Sequence, residues 1–283
     1  MKKLALITGA SRGLGARLVR RFWLDGYSLV VVARHPVDLQ SVLDDLPSRS
    51  AQIVRPFICD LGDPSKVTTL LDSIQGSLSH LDVLVNNAAI QGPIGPLCDN
   101  ALSYWQQTLQ VNLLAPVALC QGLIPLMKRP NGASIINLSG GGATGPRENF
   151  SAYATAKAGL VRFSETIAKE LKFDGIRVNC IAPGAMKTGM LQEVIEKRHA
   201  AGKREEALAS KVFAKGGASM DRVADLALFL ASDASKGIYG KLISAVWDNW
   251  QEWPKHLDEL SQSDVYTLRR ITGRDRGFHW GDK

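Results

Sequence analysis

Short runs of β-branched and leucine-rich residues alternate along the chain with stretches whose apolar positions recur every three or four residues. The runs Lys3–Thr8, Ser28–Ala33, Gln52–Cys59, Val83–Asn86, Ser134–Leu138, Arg177–Ile181 and Lys241–Trp247 predict strands. Most are apolar throughout rather than alternating, the pattern of parallel strands covered on both faces. The stretches Gly13–Asp25, Pro36–Leu46, Pro64–Leu78, Leu102–Lys128, Ser151–Lys172 and Met220–Ala231 predict helices. Asp63-Pro64 reads as an N-cap followed by proline in the first helical turn. This order predicts an α/β fold: one Rossmann-like, doubly wound parallel sheet of about seven strands, with helices on both faces. No Gly/Ser/Pro-rich linker interrupts residues 1–247, which read as one domain. Two segments fall outside the rhythm. Residues 191–218 are polar, charged and helix-prone, and residues 248–283 form an extension holding Trp250, Trp253, Trp280, Arg269, Arg270, Arg274 and Arg276.

Composition narrows the function classes. Apolar residues are 45% and charged residues 22%, which excludes wholesale disorder. The charge balance, 34 − 27 = +7, leans towards anionic ligands, but no basic stripe points to nucleic acid. No uninterrupted apolar run reaches the ~18 residues of a membrane span. The richest stretch, Asn112 to Met127, is broken by Pro116, Gln121 and Pro125. Lys2 and Lys3 precede Leu4–Ile7 as in a signal peptide. Gly9, Ser11 and Arg12 then end the run short of the ~7–15 residues required. Cys59, Cys98, Cys120 and Cys180 show no C-x-x-C spacing, so neither a disulfide framework nor a metal site is expected, and the expected compartment is the cytoplasm.

The first predicted strand runs directly into Gly9-Ala10-Ser11-Arg12-Gly13-Leu14-Gly15 and then a helix. Glycines let backbone approach a pyrophosphate, and free N–H groups at a helix start supply positive potential. The position predicts a dinucleotide site. An NAD site presents an acidic residue at the end of the second strand for the ribose 2′-hydroxyl. Here that strand ends in Ala33-Arg34-His35, and Arg12 adds a second cation in the glycine turn. Two guanidiniums suit a 2′-phosphate by charge and fork geometry, so NADP is expected rather than NAD.

Tyr153 and Lys157 lie one turn apart on one face of the predicted helix Ser151–Lys172. A nearby ammonium would stabilise the phenolate and make tyrosine a usable acid/base near neutral pH. The same spacing also occurs on ordinary helix surfaces.

Order adds to the picture. Thr8-Gly9-x-x-x-Gly13-x-Gly15 is followed by Cys59-Asp60-Leu61, Asn86-Asn87-Ala88 and Val111-Asn112. Then come Asn137-Leu138-Ser139, Tyr153-x-x-x-Lys157, and Pro183-Gly184 with Thr188. The series resembles the short-chain dehydrogenase/reductase family in its compact, single-domain form, over roughly residues 3–247. The resemblance implies that this span is the dinucleotide-binding and catalytic domain. Tyr153 would exchange a proton with the substrate oxygen, Lys157 would lower its pKa and hold the nicotinamide ribose, and Asn112 would anchor a relay water. Asp60 and Leu61 would contact the adenine, Asn86 and Ala88 would lie along the cofactor, Pro183 and Gly184 would bind the cofactor, and Thr188 would sit near the nicotinamide amide. Residues 191–218 would form a lid. The family is usually dimeric or tetrameric, so a homodimer or homotetramer is expected.

One departure matters. The family's serine, thirteen residues before the tyrosine, is here Gly140, and Ser139 lies fourteen before it. Either Ser139 supplies the hydroxyl, or the hydroxyl is absent and backbone N–H groups assist Tyr153. The expected function is an NADP-dependent oxidoreductase interconverting a small-molecule carbonyl and a secondary alcohol. The alternatives are a non-catalytic dinucleotide-binding sensor or assembly protein, and an epimerase or dehydratase acting on a nucleotide sugar. The extension either packs on its own domain, meets a neighbouring subunit or presents arginines to an anionic substrate.

Overall fold

Seven apolar runs become seven strands of a single sheet in the computed structural model, which describes residues 3–280. Lys2 and the ends of the two expected segments, residues 1–2 and 281–283, lie outside the described residues. The strands are β1 Leu4–Thr8, β2 Ser28–Ala33, β3 Val54–Ile58, β4 Val83–Asn86, β5 Ala133–Leu138, β6 Ile176–Ala182 and β7 Leu242–Ser244. Their order is β3-β2-β1-β4-β5-β6-β7, and every neighbouring pair is parallel. The chain builds outward from β1 to β3, then returns to β4 on the other side of β1. The C-terminal ends of β1 and β4 therefore flank the switch point, where open α/β sheets bind ligands.

The inner strands β1, β2, β4 and β5 are buried along their whole length, as continuous apolar runs require. Helices α1 (Gly13–Leu24), α2 (Pro36–Asp44) and α10 (Met220–Ala231) cover one face. Helices α3 (Pro64–Ser77), α5 (Ala115–Met127) and α6 (Ser151–Glu170) cover the other. The expected start of α3 is present: Asp63 Oδ1 accepts from the Ser65 N–H at 2.9 Å.

The predicted helix Leu102–Lys128 is one helix of 26 residues, Leu102–Met127, but it is not α-helical throughout. Helix α4 (Leu102–Leu109) joins α5 through a π turn at Gln110–Leu114. Pro116 has no N–H for the carbonyl of Asn112, and the ladder here shifts to five-residue spacing, with the Ala115 N–H on the Gln110 carbonyl. By length and composition this is the one helix among the described residues that could cross a bilayer. It packs along α3 and α6, and Ala115, Leu119, Leu123 and Met127 enter the core.

The last strand is shorter than predicted. The Ser244 Oγ accepts from the N–H groups of Val246 and Trp247, while Asp248 Oδ2 accepts from the Ser244 N–H at 2.7 Å. These local bonds turn the chain out of the sheet and leave Trp247 86% exposed. The segment expected as a lid folds as α7 (Gly189–Glu196), α8 (Arg198–Ala201) and α9 (Lys203–Lys215). The extension contains α11 (Leu257–Gln262) and folds back on the same chain. Trp250, Trp253 and Leu260 join the core under α1 and α10. Farther on, the Leu242 N–H donates to the Tyr266 carbonyl, so the extension covers the outer edge of β7.

Candidate active site

The glycine turn after β1 is shaped by close approaches. Gly9 has φ 65°, and a Cβ on it would lie 2.8 Å from the Ala88 Cα. Gly15 lies inside α1, where a Cβ would come within 1.8 Å of the Gly9 carbonyl oxygen. Gly13, at φ 54°, is not crowded: a Cβ there would meet only the Thr188 Cγ2, at an ordinary 3.7 Å. Arg12 makes no capping hydrogen bond, so first-turn N–H groups of α1 remain available at the cleft wall.

Thr8 and Asn87 tie the turn to the end of β4. The Thr8 Oγ1 accepts from the N–H groups of Asn87 and Ala88, each at 3.0 Å. The Asn87 Nδ2 donates to the Thr8 carbonyl at 2.9 Å and the Gly9 carbonyl at 3.3 Å. Sequence reasoning singled out the two neighbours of Asn87 rather than Asn87 itself. Strand alternation holds the signal: Asn86 and Asn87 point to opposite sides.

A cleft of about 330 Å³ opens over this turn. Of the expected cofactor residues, Gly9, Ser11, Arg12, Gly13, Leu14, Gly15, Arg34, Asp60, Leu61, Ala88, Pro183 and Thr188 line it, as do Tyr153, Lys157 and Ser139. Asn86 and Gly184 do not. Asn86 is buried in the sheet, where its Nδ2 donates to Asn137 Oδ1 at 2.8 Å. Gly184, at φ 80°, turns towards the segment after β7, where a Cβ would lie 2.7 Å from the Val246 Cγ2. The side chain of Asn112 is also committed elsewhere. Its Oδ1 accepts from the Ile90 N–H at 2.9 Å and its Nδ2 donates to the Ile90 carbonyl at 2.8 Å, fixing the cleft wall at Ile90. Asp60 makes a local turn, its Oδ1 accepting from the Gly62 N–H at 2.9 Å.

Arg12 and Arg34 are exposed at one end of the cleft and make no ion pair among the described residues. Glu193 on α7 lines the same end. Burial raises its carboxyl, while Lys197, Arg12 and Arg34 pull it down. Nothing in the local sequence marks Glu193, because only the docking of α7 brings it to the arginines.

At the other end Tyr153 is 6% exposed and Lys157 is 2% exposed. The Lys157 Nζ donates to the Leu138 carbonyl at 2.7 Å and lies 5.8 Å from the centre of the Tyr153 ring. Burial raises the Tyr153 hydroxyl above its ordinary pKa, and the cation that pulls it down is Arg147. Burial pushes Lys157 down to about 8. At Tyr153 desolvation outweighs the pull of Arg147, so the hydroxyl stands above its usual range rather than below it as expected, and Lys157 is not among the groups that shift it. A Cβ on Gly140 would lie 2.3 Å from the Tyr153 Oη, so the tyrosine hydroxyl fills the space that a side chain at 140 would need.

Two buried polar atoms at the cleft have no protein partner, Ser139 Oγ and Gln91 Nε2. Buried polar groups are nearly always paired, so these two mark unused hydrogen-bonding capacity. With side-chain-free backbone at the glycine turn and two unpaired guanidiniums, the cleft suits an anionic dinucleotide with a polar head at the Tyr153 end.

Comparisons with known proteins identify the family. A family model described as short chain dehydrogenase matches residues 3–199. The chain is 31% identical over 239 residues to D-threitol dehydrogenase of Mycolicibacterium smegmatis, covering 84% of this chain and 89% of that one. It is 29% identical over 251 residues to D-beta-hydroxybutyrate dehydrogenase of Rhizobium meliloti, covering 86% and 97%. Among solved structures, YwfH, an NADPH dependent reductase involved in bacilysin biosynthesis, superposes with a TM-score of 0.77 at 27% identity, covering 87% of this chain and 97% of that one. Fold, cleft and relatives converge: the chain is an oxidoreductase belonging to the short chain dehydrogenase family.

Proposed function

We propose that the protein is an NADP-dependent oxidoreductase that interconverts a carbonyl and a secondary alcohol, with Tyr153 as the acid/base. The observation that carries this reading is the meeting, in one cleft, of the glycine turn, two unpaired arginines and the buried Tyr153–Lys157 pair. The names of two relatives, a threitol and a hydroxybutyrate dehydrogenase, are those of enzymes acting on hydroxylated carbon.

A bound nicotinamide supplies the hydride. The chain's own residues bind, orient and move the proton. Gly9, Ser11, Gly13, Leu14 and Gly15 would hold the pyrophosphate, Arg12 and Arg34 the 2′-phosphate, and Asp60 and Leu61 the adenine. Ala88 and Pro183 would lie along the cofactor, Thr188 would lie near the nicotinamide, and Lys157 would hold its ribose. Tyr153 carries its proton at Oη in the free enzyme, because burial raises its pKa. That is the state needed to protonate a carbonyl oxygen during reduction. Ser139 is the polarising hydroxyl: its Oγ is buried at the cleft without a partner, whereas Gly140 has no side chain to offer.

Two results test the parts of this reading. Arg34→Ala should weaken NADP⁺ binding at least about tenfold and leave NAD⁺ binding nearly unchanged, as read by calorimetric titration. Equal losses for both cofactors would remove the arginine argument. Ser139→Ala should lower kcat about 10²-fold, the scale of losing one oxyanion donor, with cofactor affinity intact. Unchanged turnover would dismiss Ser139 in favour of backbone donors.

A further inference from the structure

The loop between β5 and α6 holds a second cation beside Tyr153. Gly142 allows the loop to lie close on α6: a Cβ there would be 2.7 Å from the Ala154 Cβ and 3.2 Å from the Arg147 Cβ. The Arg147 guanidinium lies 3.8 Å from the centre of the Phe150 ring and 5.5 Å from that of Tyr153. Its Nε and Nη2 both donate to Glu205 Oε2, at 3.0 and 2.7 Å. Both side chains are only 14% exposed, comparable to the Arg129–Asp82 pair at 17% and 21% and unlike the exposed ion pairs on the surface. Glu205 belongs to α9, so the bond links the 189–215 segment to the catalytic loop. A second tie lies next to it: Asn149, at φ 65°, donates from Nδ2 to the Ala201 carbonyl at 3.3 Å.

The surroundings of Tyr153 are otherwise mostly apolar. Ile94, Phe150, Val194, Ala201 and Ala209 pack with it. The charged or titratable groups that approach from the packed elements are few. Lys157 comes from its own helix, with Cys180 of β6 acting on Lys157. Glu193 of α7 lines the cleft, and Glu205 of α9 is bound to Arg147.

We propose that Arg147 is a positioning residue for Tyr153 and that Glu205 is its counter-charge, so that the docking of α9 reaches the catalytic hydroxyl through this ion pair. The inference rests on Tyr153 being the acid/base. With α9 docked, the carboxylate cancels part of the guanidinium field, and Tyr153 keeps its proton for delivery to a carbonyl oxygen. With α9 withdrawn, Arg147 acts on Tyr153 unopposed and favours the phenolate that accepts a proton from an alcohol.

The test needs no substrate. The full chain is labelled with tyrosine carrying ¹³C at Cζ, the Tyr153 resonance is assigned by its loss in Tyr153→Phe, and the ratio of ionised to neutral Tyr153 is read near pH 10, about the ordinary tyrosine pKa. Arg147→Met should lower that ratio about tenfold, Glu205→Gln should raise it about tenfold, and Arg147→Lys should stay near wild type. A purely structural latch would respond in the same direction to both losses, since each breaks the same bond. Movement of both variants in one direction, or of neither, overturns the proposal. If Arg147→Met does not fold, Glu205→Gln decides alone, and a ratio that falls or stays constant overturns it. The acid/base reading fails separately, if Tyr153→Phe retains turnover.

Discussion

Gly15→Ala is expected to abolish dinucleotide binding and to destabilise the protein by about 3 kcal/mol, the upper part of the range for overpacking a buried site. The added Cβ would lie 1.8 Å from the Gly9 carbonyl oxygen and 2.8 Å from the Asn87 Nδ2. Neither neighbour can retreat. Gly9 has its own Cα side against Ala88, 2.8 Å from where its Cβ would be, and Asn87 is bonded to both the Thr8 and Gly9 carbonyls. Helix α1 cannot withdraw instead, because Leu14, Leu18, Val19 and Phe22 anchor it in the core. The turn must therefore deform where the pyrophosphate would sit. Gly13→Ala is the informative control: its positive φ imposes strain, but nothing crowds its Cβ. Denaturant unfolding with calorimetric titration of NADP⁺ distinguishes the two variants. Wild-type affinity in Gly15→Ala would contradict the close-packing account.

The sheet was legible because its signal is local and strong. Parallel strands buried on both faces read as unbroken apolar runs, and the helices between them carry clear periodicity. The glycine turn and the Tyr153–Lys157 pair were legible for the same reason, since spacing along the chain is spacing in the fold. What escaped depends on contacts between distant segments. Asn86 and Asn87 are adjacent in sequence, yet only the second reaches the glycine turn, because the strand turns them to opposite sides. The side chain of Asn112 holds Ile90, twenty-two residues earlier, a partner no motif spells out. Glu193 and Glu205 look like ordinary acids on a solvated helix until α7 and α9 dock beside arginines. The shortened β7 and the π turn had readable causes in Ser244 and Pro116, but their effect on geometry required the neighbouring hydrogen bonds. The pKa direction of Tyr153 reversed the sequence expectation because burial is a property of the packed core, not of the i, i+4 pair.

Tyr153→Phe carries the second large effect. The substitution removes one oxygen from a side chain that is 6% exposed and packed by Ile94, Phe150 and Val194. The ring still fits, and the space beside Gly140, otherwise occupied by the hydroxyl, is simply vacated. Stability and cofactor affinity should therefore change little. Removal of the proton donor should lower kcat by about 10³-fold, within the usual range for a general acid. The most direct test of the account is the NADPH-linked reduction of an aldehyde and ketone panel by wild type and Tyr153→Phe, with NADP⁺ titrated into both. The account predicts that, for each carbonyl the wild type reduces, the variant binds cofactor as tightly and turns over about 10³ times more slowly. Turnover at the wild-type rate in the variant would contradict it.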